Sequence, residues 1–375
     1  MNFAQPKSGS RGGNPTLVLC KPAFEAALSD EIAAKAPGAG NAGPHPAIEA
    51  RGRGWLRIGC GAPLPPQPLI FERQRLPDAR SIEGASRRGL ARAAAESLLP
   101  ALGSGGAPWT LHAFTPDPNG AESLHKRAAG IGSAFREALQ ELAPRMSEAY
   151  RCPEEAPGKG CRVVQLCLTE AGLWVAQAPV NRLPSPFPGG IPALSHDPAA
   201  PSRSYLKIEE ALAAFGEAPR AGQRVVDLGA APGGWSYAFL KRGCRVTAVD
   251  RAALKLPSSE AYAGAVTHLR EDGLRYRPER PVDWLLSDML IAPGVTLGLL
   301  RKWIGRGWAR RFIVNVKLPQ REPYAALRPL ERFLGEAGLA GGALRQLYHD
   351  RREVTAWGHI APLKAGNSGK AKRRP

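Results

Sequence analysis

Cysteine is scarce in this chain, and the spacing of its few cysteines excludes the usual cysteine-based sites. The 375 residues include six cysteines, which form no C-x-x-C pair and have no matching cluster of histidines. Neither a zinc site nor a disulfide framework is indicated, so we expect reduced thiols and no bound metal. The six positions are Cys20, Cys60, Cys152, Cys161, Cys167 and Cys244.

Long hydrophobic runs are also missing. No apolar run approaches the roughly 20 residues that cross a bilayer, and the first residues lack the apolar core of a signal peptide. Hydrophobic residues make up 43% and charged residues 22% of the chain, close to the average for soluble globular proteins. From this composition and length we expect a cytoplasmic protein of two domains without a membrane partner. We expect it to act as a monomer, although the sequence does not establish the oligomeric state.

Acidic residues are few relative to basic ones. The chain has 33 Asp and Glu against 51 Lys and Arg, a formal net charge of +18. Such a surplus favours a polyanionic partner through long-range attraction and counterion release, and nucleic acid is the leading candidate. Biased codon usage in an Ala-, Gly-, Pro- and Arg-rich chain would produce the same surplus, so charge alone identifies no partner.

The region of residues 15–180 has an α+β pattern. It is predicted to contain three strands, three helices and a hairpin, from periodicity and turn residues. The strands are residues 16–20, 55–58 and 109–114, the helices 24–36, 86–101 and 122–143, and the hairpin joins 161–168 to 173–178. Residues 181–201 are too rich in Pro and Gly for regular structure and are predicted to be the linker between two domains.

Residues 202–362 have a different character, because apolar strands alternate with helical stretches. This alternation predicts a doubly wound, mainly parallel sheet. The predicted strands are residues 224–228, 244–249, 266–269, 284–286 and 312–316, with a helix beginning near Trp235. The first residues, 1–14, and the basic tail, 363–375, have little apolar content and are expected to be mobile.

A glycine-rich turn joins the first of these strands to its helix, in the segment Asp227-Leu-Gly-Ala-Ala-Pro-Gly-Gly-Trp235. Its glycines follow neither the dinucleotide spacing nor the Walker pattern, so a pyrophosphate ligand is disfavoured. Asp250 ends the second strand, where a carboxylate accepts hydrogen bonds from ribose hydroxyls. Asp272 follows the third strand and could bind an adenine amino group. A nucleoside without phosphates fits this set, and S-adenosylmethionine is such a ligand.

Four further polar residues form a second group. Asp288 and Lys317 each end an apolar strand, Lys207 opens a helix, and Glu353 precedes a short Val-Thr strand. Any one of them alone would be read as a solvated surface residue. Charged residues at the carboxyl ends of parallel strands line the cleft of an α/β sheet, so the four together indicate an active site.

The order Lys-Asp-Lys-Glu around this glycine turn resembles the RrmJ-type ribose 2'-O-methyltransferases. Within them, four segments resemble the family of ribosomal RNA large subunit methyltransferase M, over nearly all of the catalytic half and less clearly before residue 180. These segments are Ala200-Pro-Ser-Arg-Ser-x-Leu-Lys207, Leu269-Arg-Glu-Asp-Gly273, Asn315-x-Lys-Leu-Pro319 and Gln346-Leu-Tyr-His-Asp-Arg351. Two departures are Ala231, where the family often has Cys, and Arg352, where it often has a second acid.

The resemblance implies a Rossmann-like methyltransferase domain, preceded by a ferredoxin-like and THUMP-like RNA-binding region, that acts on a cytidine of 23S rRNA. Lys207, Asp288, Lys317 and Glu353 would be catalytic, with Lys317 the proton acceptor. Burial and a neighbouring cation such as Lys207 would favour its neutral amine. The cofactor, S-adenosylmethionine, would be contacted by Ser204, Ala231, Pro232, Gly233, Gly234, Asp250, Asp272 and Asp288.

Two alternatives remain at the level of the sequence. The same four residues occur in 2'-O-methyltransferases of tRNA and of mRNA caps, although an N-terminal α+β region favours a large structured RNA. A non-catalytic RNA-binding or assembly factor could also retain the fold, because fold does not determine function.

Overall fold

The computed structural model describes residues 13–35, 47–60, 64–102, 107–151, 158, 160–257, 262 and 264–360. The chain divides into two compact units, Met1–Ala193 and Leu194–Pro375. Their boundary falls inside the Pro- and Gly-rich segment of residues 181–201. Residues 1–12 and the tail 363–375, both expected to be mobile, lie outside the described residues, as does Cys152.

The N-terminal unit begins with an antiparallel four-stranded sheet of order β2-β3-β1-β4. Helix α1 follows β1 and buries Leu28 and Ile32. The carboxylate of the buried Glu31 accepts the backbone N–H groups of Ile70 and Phe71, at 2.6 and 3.0 Å. The elements are β1 Thr16–Leu19, α1 Glu25–Lys35, β2 Ile48–Gly52, β3 Trp55–Ile58 and β4 Gln74–Leu76.

A second four-stranded sheet in the same unit has the order β5-β8-β7-β6. The predicted hairpin is confirmed as β7 and β8, and β6 pairs in parallel with β7. Helices α2 and α3 bury Leu98, Ile131 and Phe135 in one apolar core. The elements are β5 Arg80–Ile82, α2 Arg87–Leu102, β6 Trp109–Phe114, α3 Glu122–Leu142, α4 Pro144–Glu148, β7 Arg162–Thr169 and β8 Gly172–Pro179.

The segment expected to be irregular contains two short 3-10 turns, Val180–Arg182 and Pro188–Gly190. Its first part is bound to the N-terminal unit, because the side-chain amide of Gln74 donates to the carbonyl oxygens of Ser185 and Phe187, at 2.9 and 3.3 Å. In its last part, Asp197 accepts hydrogen bonds from Tyr237 and Lys241 of the C-terminal unit. Tertiary hydrogen bonds therefore hold a segment that has little regular structure of its own.

The C-terminal unit is built on a seven-stranded sheet of order β11-β10-β9-β12-β13-β15-β14. The first five strands are parallel to one another, as predicted, and β15 is antiparallel to both of its neighbours, β13 and β14. Its elements are α5 Tyr205–Phe215, β9 Arg224–Leu228, α6 Gly234–Leu240, β10 Arg245–Val249, β11 Val266–Leu269, β12 Val282–Ser287, α7 Pro293–Gly305, β13 Ala309–Lys317, α8 Pro323–Glu336, β14 Ala340–Arg345 and β15 Glu353–His359.

One sequence prediction about this sheet was wrong in detail. Glu353 does not precede a short strand but is the first residue of the seven-residue strand β15, which lies between β13 and β14. The buried side chains of Val354, Ala356 and Trp357 explain the extra length, because β15 is covered on both faces.

The strand order reverses at β9, which has β10 on one side and β12 on the other. In an open parallel sheet this reversal opens a crevice at the carboxyl ends of the strands, where ligands bind. Apolar side chains of α5 and α6 cover one face of the sheet, and α7 contacts β13. In the described part of the chain, no helix has both the length and the apolar character needed to span a membrane.

Candidate active site

Two positions of the glycine turn after β9 leave no room for a side chain. Gly229 has a φ of +72°, and a Cβ atom there would overlap the side chain of Met289. A Cβ atom on Gly234, at the start of α6, would lie 2.6 Å from the hydroxyl oxygens of both Ser202 and Ser204. Glycine at both positions therefore keeps the turn open and lets neighbouring backbone approach closely.

Asp250, just after β10, ties this turn to the edge of the sheet. One carboxylate oxygen accepts the backbone N–H of Ala231 at 3.0 Å, and the other accepts that of Ala252 at 2.8 Å. A carboxylate oxygen can accept more than one hydrogen bond. The side chain can therefore hold the turn and still accept hydrogen bonds from a ligand.

Asp272 lines, together with Asp250, one compartment of the cleft beside the glycine turn. It accepts the backbone N–H of Leu274 at 2.9 Å and the guanidinium of Arg251 at 3.2 Å. Asp250, Asp272, Met289 and the carboxylate of Glu271 all line this compartment, whose volume is about 460 Å³.

The adjoining compartment, of about 500 Å³, contains Ser204, Ala231 and Pro232. Gly229, Ala231 and Asp288 line both compartments, so they form one continuous cleft. Of the residues predicted to contact the cofactor, Gly233 and Gly234 do not line either compartment.

The cleft fits S-adenosylmethionine. Two joined compartments of this size suit a nucleoside with an amino-acid arm. The compartment around Asp250 is lined by four acidic residues and one arginine, so it would repel a pyrophosphate but can accept hydrogen bonds from hydroxyl and amino groups. The glycine turn provides the close backbone approach that such a ligand needs.

The four polar residues predicted to be catalytic meet at the other end of the cleft. Lys317, the last residue of β13, lies 2.5 Å from one oxygen of Asp288 and 3.7 Å from Glu353. Lys207, in the first turn of α5, lies 3.5 Å from Asp288 and forms a close ion pair with Glu353. Each lysine is therefore shared by the same two carboxylates, and the four formal charges cancel.

Mutual pairing shifts the protonation of two members of this group. Burial lowers the pKa of Lys207, but the carboxylates of Asp288 and Glu353 outweigh it and leave the pKa raised. Burial likewise opposes ionisation of Glu353, yet the Lys207 ammonium and the Arg351 backbone N–H bring its pKa below the usual value. Lys207 and Glu353 are thus held as an ion pair at neutral pH.

The two lysines share both carboxylates. Asp288 and Glu353 were expected to hold the lysines in place, and each of them contacts both amines. The effect of Lys207 on Lys317 as a neighbouring cation stays a prediction.

Asp288 is held by a buried chain of hydrogen bonds that sequence reasoning did not assign. Asn315 donates to Asp288 at 2.9 Å, and the hydroxyl of Thr355 lies 3.2 Å from the Asn315 side-chain oxygen. Thr355 also lies 3.0 Å from the carboxyl of Asp350. Burial raises the pKa of Asp350 well above its usual value, and the Thr355 hydroxyl lies within donating distance of both Asn315 and Asp350.

Asp227 is a second polar residue that sequence reasoning left without a role. Its side chain lines the cleft although its exposure is only 1%. Burial raises its pKa to about 7, against the opposing effect of the Ser236 hydroxyl, which donates to it at 2.7 Å. Its place at the start of the glycine turn was the available signal.

No cysteine is among the residues that line the two compartments of the cleft. The five cysteines in the described ranges are free thiols. Within those ranges there is also no group of three or more His, Cys, Asp or Glu side chains that could hold a metal ion.

The Rossmann-like sheet and its cleft are those expected of an S-adenosylmethionine-dependent methyltransferase. The family model described as FtsJ-like methyltransferase matches residues 200–300. Those residues include the glycine turn, Asp250, Asp272 and Asp288. The protein is an enzyme, and its cofactor is S-adenosylmethionine.

Relatives identify the family within this class. The ribosomal RNA large subunit methyltransferase M of Alkalilimnicola ehrlichii is 36% identical over 352 residues, covering 91% of this chain and 94% of the relative. The protein of the same description from Edwardsiella ictaluri is 33% identical, covering 92% and 96%. The chain belongs to the family of ribosomal RNA large subunit methyltransferase M.

Proposed function

We propose that the enzyme methylates the ribose 2'-hydroxyl of a cytidine in 23S rRNA. The observation that carries this proposal is the joining of the Lys207, Asp288, Lys317 and Glu353 group to the cofactor cleft. Asp288 lines both compartments of that cleft, so a hydroxyl bound near Lys317 would lie next to the cofactor.

A ribose hydroxyl is a poor nucleophile, so the enzyme must orient it and accept its proton. S-adenosylmethionine, when bound, supplies a methyl group that its sulfonium has already activated. Lys317 accepts the hydroxyl proton on Nζ. Lys207, whose pKa is raised, stays an ammonium beside Asp288 and Glu353.

We further propose that the N-terminal unit is a ferredoxin-like and THUMP-like RNA-binding region within 15–180, and that a cytoplasmic monomer uses both units to bind RNA. The charge surplus is uneven: residues 1–193 have 21 basic and 16 acidic residues, whereas residues 194–375 have 30 and 17. The contribution of the N-terminal unit would therefore come more from shape and local contacts than from net charge.

Labelled cofactor tests the proposal. The full chain is incubated with labelled S-adenosylmethionine and, separately, with unmodified 23S rRNA, 16S rRNA and tRNA transcripts, with the Lys317→Ala variant as the control. We expect label in 23S rRNA alone, and nuclease digestion should yield 2'-O-methylcytidine. Preferential labelling of tRNA would favour the tRNA alternative. Cofactor binding without transfer to any RNA would favour a non-catalytic assembly factor.

A further inference from the structure

Two arginines at the catalytic compartment have no partner among the described residues. Arg203, just before α5, and Arg351, just before β15, both line the compartment that contains Lys207 and Glu353. Both side chains are exposed, and neither guanidinium forms a hydrogen bond or ion pair in the described part of the chain. Some other arginines of this unit are paired, as Arg242 is with Glu209 at 2.7 Å.

Arg203 and Arg351 are the cations of this compartment whose charge no carboxylate among the described residues neutralises. Lys207 and Lys317 are neutralised by Asp288 and Glu353, with which they form four short contacts. An anion that approaches the cleft is therefore attracted by the arginines and not by the catalytic lysines. A planar guanidinium with five donors suits the oxygens of a phosphodiester.

The two arginines are also fixed relative to the catalytic group. Arg203 is four residues before Lys207, and Arg351 is two residues before Glu353. The backbone N–H of Arg351 donates to Glu353 at 3.0 Å. The buried Glu210 of α5 accepts the backbone N–H groups of Tyr348 and His349, at 2.7 and 2.9 Å, which anchors the loop that carries Arg351.

We propose that Arg203 and Arg351 form a phosphodiester clamp, which holds the RNA backbone beside the target nucleotide so that its ribose reaches Lys317. This inference rests on the proposed function and adds the substrate contact to it. The phosphates of the substrate bind at the cleft mouth, and the neutral catalytic group is left free to receive the uncharged hydroxyl.

The test uses the full-length double variant Arg203→Ala/Arg351→Ala and an unmodified 23S rRNA transcript. Loss of a charged hydrogen bond typically weakens binding by about tenfold or more, so we expect KM for RNA to rise by about that factor per arginine. The salt dependence of RNA binding should fall by roughly one phosphate contact per arginine.

Arg306→Ala is the matched control. Arg306 is exposed, its side chain has no partner among the described residues, and it lies before β13, at the opposite end of the sheet from Lys317. A double variant that matches Arg306→Ala in KM and salt dependence would overturn the clamp. So would a double variant with weakened S-adenosylmethionine affinity in calorimetry and unchanged RNA binding, since the arginines would then bind the cofactor carboxylate. Failure of the wild-type enzyme to methylate RNA would instead overturn the proposed function.

Discussion

Lys207 and Lys317 contact the same two carboxylates, but they belong to different secondary-structure elements and each lies closest to a different carboxylate. Lys207 comes from a helix and forms its closest contact with Glu353, whereas Lys317 ends a strand and forms its closest contact with Asp288. The proposed roles follow from this difference, with Lys207 as the permanent cation and Lys317 as the proton acceptor. The sequence indicated the four residues but not which lysine pairs with which acid.

Substitution of Lys317 tests this division of roles. Lys317→Ala should lower the single-turnover rate by about 10²–10⁴-fold, the usual contribution of a general base. Lys317→Arg should fail as well, because a guanidinium stays protonated and cannot accept the hydroxyl proton. Both variants should keep cofactor affinity. An arginine variant with more than about a third of the wild-type rate, at saturating RNA and cofactor, would remove Lys317 from the role of base.

Asp250 should be needed for cofactor affinity. Asp250→Ala removes the acceptor for ribose hydroxyls and the hydrogen bond to Ala231, so calorimetry should show S-adenosylmethionine binding weakened at least about tenfold. Asp283→Ala is a suitable control, because Asp283 also accepts a backbone N–H, that of Arg224 at 2.9 Å, but at the amino-terminal end of the strands. Equal affinity in the two variants would contradict the assigned role of Asp250.

The raised pKa of Asp227 predicts a pH dependence of stability. The buried carboxyl keeps its proton in the folded state up to a pKa of about 7, whereas its ordinary value is 3.8. The folded state therefore binds more protons than the unfolded state between these values, and this part of the stability is lost as the pH rises from about 4 to about 7. Asp227→Asn should gain unfolding free energy relative to the wild type over that interval, as urea titrations at several pH values would show.

At the scale of elements, most strands with apolar runs could be predicted, and those stabilised by tertiary contacts could not. Strand β4 is Gln-Arg-Leu, whose polar residues are buried because Gln74 and Arg75 find hydrogen-bond partners elsewhere in the unit. Strand β14 contains two glycines and α8 contains Pro329, features that argue against regular structure. Strands β2 and β5 and helices α4 and α7 also went unpredicted.

The hydrogen-bond chain that runs from Asp288 through Asn315 and Thr355 to Asp350 connects β13 with β15. Thr355 lies in the middle of this chain. Thr355→Val should leave the buried side-chain oxygen of Asn315 without its hydroxyl donor, with a loss of about 1–3 kcal/mol of unfolding free energy. We also expect a slower methyl transfer, because Asp288 loses its indirect support. Thr355→Ser keeps the hydroxyl and should restore the rate. Thermal melting and single-turnover assays give the two readouts, and a valine variant that behaves like the serine variant would contradict the chain.

At the scale of the whole molecule, the two compact units have separate roles in the proposed reaction. Residues 194–375 contain the complete cofactor cleft and catalytic group, so this fragment should bind S-adenosylmethionine with the affinity of the full chain. It should methylate 23S rRNA poorly, because it lacks the RNA contacts of the N-terminal unit. Full activity from the fragment would show that the N-terminal unit has no part in substrate binding.

The position of β15 between β13 and β14 has a consequence for how the enzyme is made. Glu353 is directly opposite Lys317 in this antiparallel pair, so Lys317, the proposed proton acceptor, meets its second carboxylate only when the last described strand is inserted into the sheet. Protein synthesis proceeds from the N-terminus, and the earlier strands can assemble first. We therefore expect a nascent chain to acquire its cofactor cleft before its catalytic competence, so that a growing polypeptide cannot modify the RNA of the ribosome that is translating it.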